Sequence, residues 1–230
     1  MKMPKQTNFS LSLVKNEFSG KFIVLTGICG TGKTKLAEMI VNDLTQQGIP
    51  TEYIKNPSKN FASYPPFRRY LDDIDIVNTK ESDLFALTIM SLGDLFFTLR
   101  TKIIPSLQQG KWVVCDRYLV EAYVGSVDEM VAGYKLNVSD VKMIRLLSRK
   151  ALKPDLGILL TNSPTTSINR ITARHRSGEE NIEDFDFETL FNTNIAYQKF
   201  AQANKWKIIS TECDLHTAYL RISRLVKRLL

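Results

Sequence analysis

The sequence predicts an α/β fold with a five-stranded parallel sheet and helices on both faces. Three observations predict it. Five short apolar runs recur along the chain, each followed by a stretch with helical spacing. The runs are continuous rather than alternating, as in strands buried on both faces. The chain has 230 residues, 43% of them hydrophobic, enough for one large core.

The elements follow in order. Residues 1–20 are polar and irregular and predict a loose N-terminal arm. Lys21 to Thr26 (KFIVLT) lies between Gly20 and Gly27 and predicts the first strand. Thr34 to Gln47 places Leu36, Ala37, Ile40, Val41 and Leu44 on one helical face and stops at Gly48. Thr51 to Lys55 (TEYIK) is a second strand, broken by Asn56-Pro57-Ser58. Ser82 to Gln108 predicts one long apolar helix, with Pro105 near its end at a kink. Lys111 to Cys115 (KWVVC) is the third strand and runs into Asp116-Arg117. Ser139 to Ala151 predicts a helix with Ser139 as N-cap and Asp140 in its first turn. Leu156 to Leu160 (LGILL) is the fourth strand, and Pro164 to Arg174 a helix with Pro164 near its start. A helix over Asp186 to Asn204, a fifth strand at Lys207 to Ser210 and a closing helix from Thr217 to Leu230 complete the chain. No linker or repeat divides it, so residues 21–230 are expected to form a single domain.

Composition excludes several function classes. No run of eighteen apolar residues occurs, so no membrane-spanning helix is expected, and Met1 to Ser10 lacks the apolar core of a secretory signal. Cys29, Cys115 and Cys213 are odd in number and lack metal-ligand spacing, which predicts free thiols and a cytoplasmic protein. The net charge of +7 admits phosphorylated partners. The basic residues are spread out, densest at Arg68-Arg69, Arg170 to Arg176 and Arg221 to Arg228, and the last group alternates with apolar residues as the solvated face of a helix. That pattern argues against a nucleic-acid binder.

Chemistry concentrates first in Gly27-Ile28-Cys29-Gly30-Thr31-Gly32-Lys33-Thr34, which fits G-x-x-x-x-G-K-[ST] in full between a strand and a helix. Glycines let backbone N–H groups turn inward as a nest for phosphate oxygens, and the helix N-terminus adds partial positive charge. Lys33 reaches the β- and γ-phosphates, and the Thr34 hydroxyl can ligate Mg²⁺. The loop therefore predicts ATP binding and a P-loop NTPase-type three-layer fold. Asp116 ends a strand at the sheet edge where such folds bind ligands, and is the candidate second metal partner. Arg117 beside it suits a phosphate with its planar fork. Arg170, Arg174 and Arg176 run from a helix into a polar loop, so that a lid over about 174–186 could bring Arg174 and Arg176 to the transferring phosphoryl group.

These pieces, in their order, make the chain resemble the thymidylate kinases among the P-loop nucleoside monophosphate kinases. The likeness covers roughly residues 20 to 215 and rests on IVLTGICGTGKT, Asn56-Pro57 followed by Arg68-Arg69, GKWVVCDRY at 110–118, PDLGILLTNSPTTSINRITAR at 154–174 and FNTNIAYQKFA at 191–201. The resemblance implies transfer of the γ-phosphoryl group of ATP·Mg²⁺ to a nucleoside monophosphate, dTMP to dTDP. It implies catalysis by Lys33, Arg117, Arg174 and Arg176, nucleotide binding by the loop and Arg170, and a metal held by Thr34 and Asp116. It places Asn56, Arg68 or Arg69, Arg117, Tyr118 and Tyr123 at the acceptor, and suggests a homodimer through the helix near Ser82 to Leu99.

The chain departs from the family's pattern at defined points. Thr26 stands where members usually have an acidic residue, and Cys29 where they usually have Asp or Glu. Gly30 occupies the loop position at which some members carry a catalytic Arg, which makes this chain resemble the lid-arginine type. Leu119 to Tyr123 replace a polar run, and Leu95 or Phe96 falls where members place an Arg against the thymine base. A kinase for nucleosides or other small molecules, and a non-catalytic nucleotide-binding regulatory protein, remain alternatives on the residues alone.

Overall fold

The computed structural model describes residues 9–65, 81–128, 137–176 and 187–230. Five strands, β1 (Phe22–Gly27), β2 (Thr51–Lys55), β3 (Trp112–Asp116), β4 (Leu156–Thr161) and β5 (Lys207–Ser210), form one sheet in the order β2-β3-β1-β4-β5. Every pairing is parallel, with Val24 opposite Cys115 on one side and Gly157 on the other. The expected sheet is therefore present in full.

Alternate residues of the central strands feed two cores. Phe22, Val24, Val113, Cys115 and Leu159 face one of them, and Ile23, Leu25, Trp112, Val114, Ile158 and Leu160 face the other. On the second face lie α1 (Lys33–Gln46) and the C-terminal helix Leu215–Val226, which contribute Leu36, Ile40, Ala218 and Ile222. The first face is covered by α3 (Glu81–Thr98), α5 (Leu119–Val127), α6 (Val138–Ser148) and α8 (Phe187–Ala203), after a short α2 (Lys59–Ala62). Between β4 and α8 runs α7 (Pro164–Arg176); the C-terminal helix is α9.

Several boundaries differ from expectation. The long helix is interrupted: α3 gives way to a π-helical turn at Leu99–Ile103 and then to α4 (Ile104–Gln108). Pro105 has no N–H to donate and its ring crowds the carbonyl four residues back, so the preceding turn widens. Asn137, not Ser139, caps α6, its side chain accepting the Ser139 N–H. Helix α9 begins at Leu215 because Asp214 caps it through the Thr217 N–H. Helix α5 was not expected at all. Its residues Leu119, Val120, Tyr123 and Val124 are buried, so it reads as apolar nearly all round and lacks the amphipathic signal of a surface helix.

The looseness expected of the N-terminal arm does not extend to residues 9–20. Phe9 and Leu11 are buried in the first core. The Leu11 N–H donates to Asn204 Oδ1 (3.0 Å), and Asn204 Nδ2 donates to the Phe9 carbonyl (2.9 Å). Val14 bridges to Leu152. The aromatic and aliphatic side chains of the arm outweigh its polar composition once a core is present to receive them.

Candidate active site

The loop, Asp116 and Arg117 sit where β1 and β3 end. β1 runs out at Gly27 into the phosphate loop, and α1 leaves it at Lys33 with Gly32 in the left-handed region (φ 82°) at its N-cap. Gly30 has φ 79°, and a Cβ there would lie 2.8 Å from Ser167 Cα, so the loop packs backbone against backbone on α7. Neighbouring side chains hold the loop from outside. Ser167 Oγ donates to the Cys29 carbonyl (2.7 Å), and Asn162 Nδ2 to the Gly30 carbonyl (3.3 Å). Thr31 is buried and its hydroxyl donates to the Ile28 carbonyl (2.9 Å).

Lys33 is buried, and its Nζ donates to the same Ile28 carbonyl (2.8 Å). Burial, and secondarily the Arg117 charge, push its ammonium down to about 8; Cys29, Asp116 and Glu121 oppose that shift. A cation held this far from water, beside the glycine loop that joins β1 to α1, is a site prepared for anionic oxygens.

Asp116, fully buried at the end of β3, faces the loop. Its Oδ2 accepts from Thr34 Oγ1 (2.6 Å) and from the Tyr53 hydroxyl (3.1 Å), while its Oδ1, also buried, has no hydrogen-bond partner among the described residues. An orphaned buried carboxylate oxygen next to the loop threonine fits a hard cation such as Mg²⁺, whose remaining ligands would come from phosphate and water. No cluster of three or more His, Cys, Asp or Glu able to hold a metal occurs among the described residues.

Arg117 follows in the left-handed region (φ 66°), a costly conformation for a side chain with a Cβ. It is held there by its N–H to the Leu25 carbonyl (2.9 Å) and by Asn56 Nδ2 and Cys115 Sγ, which donate to its own carbonyl (3.2 and 3.0 Å). This backbone reversal sends consecutive side chains to different places: Asp116 to the loop threonine and Arg117 to a cleft beside it. Arg117 Nη2 lies 3.4 Å from Cys29 Sγ, and Nη1 3.6 Å from Glu121 Oε1. The cleft is lined by Asn56, Asp94, Leu95, Arg117 and Glu121, among others.

With this geometry in view, comparison with known proteins is decisive. The model of the family described as "Thymidylate kinase" matches residues 25–218. The chain belongs to the thymidylate kinase family. Among its relatives, the thymidylate kinase of Prochlorococcus marinus (strain NATL1A) is 28% identical over 221 residues, 92% of this chain and 98% of that one. The thymidylate kinase of Leptospira borgpetersenii is 30% identical over 171 residues, 74% of each chain. A probable thymidylate kinase of Staphylothermus marinus is 28% identical over 156 residues, 67% of this chain and 70% of that one.

The expected site residues divide into three groups. Gly27 to Thr34, Asp116, Arg117 and Asn56 come together as described. Arg170 joins them differently from expectation: its guanidinium donates to the backbone carbonyls of Gly30 (3.2 Å), Thr211 (2.8 Å) and Cys213 (3.4 Å), so it ties the loop to the segment after β5. Tyr118 lines the cleft but is itself buried, and Tyr123 lies in the core. The Tyr118 hydroxyl accepts the buried Leu152 N–H (3.0 Å) and its ring meets Phe22 edge-on, while Tyr123 is 1% exposed against Phe200. Both phenols are pushed up by burial. They are core residues here because α5, unrecognised in the sequence, carries that face inward. Arg174 is exposed near the end of α7. Arg68 and Arg69, the Arg176 side chain and the lid beyond it lie outside the described residues.

Tyr53 and Glu121 had not been expected at the site. Tyr53 could have been found from its place in TEYIK, since it precedes the strand end by two residues; burial and the Asp116 carboxylate push its phenol well above 10. Glu121 had no signal of its own without α5. Leu95 lines the cleft, with Asp94 beside it accepting from the Ser58 N–H (2.8 Å) and hydroxyl (2.5 Å).

Proposed function

We propose that the chain transfers the γ-phosphoryl group of ATP to a nucleoside monophosphate, with dTMP as acceptor and dTDP as product. The observation that carries this reading is the pair Asp116-Arg117. Adjacent residues at one strand end serve the donor loop and the acceptor cleft, so the two substrates meet across a single backbone reversal. An oxygen of the acceptor's phosphate attacks the γ-phosphorus, the bond to the β–γ bridging oxygen breaks, and ADP leaves. The loop amides and Lys33 bind the triphosphate and stabilise the charge that develops on it. Arg117 holds the acceptor phosphate, with Arg68 or Arg69 as its second clamp. Asn56 fixes the Arg117 carbonyl. Arg174 and Arg176, at the end of α7, would serve the transferring phosphoryl group. Thr34 and the free Oδ1 of Asp116 would hold Mg²⁺. When bound, that ion neutralises phosphate charge and orients the triphosphate.

An ADP-release assay over dTMP, dUMP, dCMP, dGMP and the parent nucleosides tests the reading. Turnover with dTMP above the others is expected. Preference for a nucleoside would move the chain to the nucleoside-kinase class, and turnover with none of them would leave a nucleotide-binding regulator. We also infer a homodimer through α3, where Phe97 is 65% exposed; sedimentation equilibrium of the Phe97→Glu variant checks it. No helix among the described residues is long and apolar enough to cross a membrane. The three free thiols suit a cytoplasmic location.

A further inference from the structure

The phosphate loop has no acidic residue between Gly27 and Thr34, and Thr26 before it is neutral. The cleft beside it nevertheless contains a carboxylate, brought by α5. Glu121 Oε1 accepts from Thr26 Oγ1 at 2.6 Å and lies 3.6 Å from Arg117 Nη1. Its Oε2 accepts the Tyr118 N–H at the start of the helix (3.3 Å). One side chain thus spans the end of β1, the first turn of α5 and the guanidinium that lines the cleft. Arg117 is held on its other side by Cys29 of the loop.

We infer that Glu121 is the positioning carboxylate of the acceptor site: it sets the fork of Arg117 for the acceptor's phosphate while anchored by the Thr26 hydroxyl. The inference rests on the proposed phosphoryl transfer. Its physical basis is that the Thr26 hydroxyl and the Tyr118 N–H each hold one oxygen of the Glu121 carboxylate, so the carboxylate meets Arg117 in one orientation. Thr26 is 1% exposed at a strand end paired with β4, so position 26 also offers a buried mount for an acid. An arginine with a long, rotamer-rich side chain loses less freedom on binding when a partner already fixes it. Side-chain exposures of 24% for Arg117 and 19% for Glu121 leave the pair partly shielded, so its orientation is not dissolved by solvent.

The test separates positioning from bulk stability. Glu121→Gln keeps the shape and the bond to Thr26 but removes the charge facing Arg117. Its KM for dTMP is expected to rise roughly tenfold, the loss of one charge-assisted contact, with the KM for ATP within about twofold of the parent. The exchanged double variant Thr26→Glu/Glu121→Ser is expected to recover most of that loss, because the carboxylate returns from the other side of the same hydrogen bond. An unchanged KM for dTMP in Glu121→Gln overturns the inference while leaving the transfer reading intact. So does an equal rise in both KM values, or a double variant that folds, by its thermal midpoint, yet is no better than Glu121→Gln. A parent protein that phosphorylates none of the monophosphates overturns both.

Discussion

Lys33 is costly for this fold to keep, and replacing it with methionine exposes the cost. The side chain is buried and its ammonium is pushed from 10.5 down to about 8, chiefly by desolvation. At 1.36 kcal/mol per pH unit, that displacement corresponds to about 3 kcal/mol of instability in the nucleotide-free protein at neutral pH. Methionine has nearly the same length and no charge to desolvate. The Ile28 carbonyl that Lys33 satisfies keeps the Thr31 hydroxyl as a donor, so no acceptor is orphaned. Lys33→Met is therefore expected to abolish phosphoryl transfer and, at pH 7 without nucleotide, to raise the stability of the fold by about 3 kcal/mol. The pH dependence carries a definite sign. Below about 8 the lysine is charged in both states and the full cost is present. Between about 8 and 10.5 the unfolded chain holds a proton that the folded chain has released, so wild-type stability rises with pH through that window. The gap between variant and wild type should accordingly narrow as pH is raised. Urea unfolding of both proteins at pH 7 and near pH 10, alongside an ADP-release assay, measures it. A variant no more stable than wild type at pH 7, or a gap that does not change with pH, refutes the reasoning; retained turnover refutes the role of the loop.

Other perturbations test separate parts of the site. Asp116→Asn should still accept from Thr34 and Tyr53 but lose the buried negative charge, lowering kcat by about 10²-fold or more and raising the Mg²⁺ concentration for half-maximal rate. Unchanged Mg²⁺ dependence would remove Asp116 from the metal site. Gly30→Arg should not convert the chain to the loop-arginine type: with φ at 79° and Ser167 Cα 2.8 Å from a new Cβ, a lower thermal midpoint and weaker ATP binding are expected. A variant as stable as wild type would show that α7 yields more easily than its packing implies. Tyr118→Phe should cost about 1–3 kcal/mol in unfolding free energy by orphaning the buried Leu152 N–H, with both KM values unchanged. A raised KM for the acceptor would restore Tyr118 to the substrate.

By itself the sequence determined the five strands, the parallel sheet and the place of the glycine loop between β1 and α1. These depend on local signals: apolar runs long enough to be buried, and an eight-residue loop whose glycines and Lys33 carry their chemistry wherever a strand–loop–helix places them. Asp116 and Arg117 were legible for the same reason, being the residues at which an apolar run stops. Only the tertiary structure decided what α5 contributes. A helix buried on nearly every side has no periodic signature, so the burial of Tyr118 and Tyr123 was not legible, and Glu121 did not register as a site residue. The reversal at Arg117 is likewise invisible in sequence, because a positive φ at arginine is imposed by the partners Leu25, Asn56 and Cys115, which lie on three different strands or their ends. Side-chain direction at the acceptor cleft is a property of packing between distant segments, and the residues that bear it carry no mark of it in their own neighbourhood.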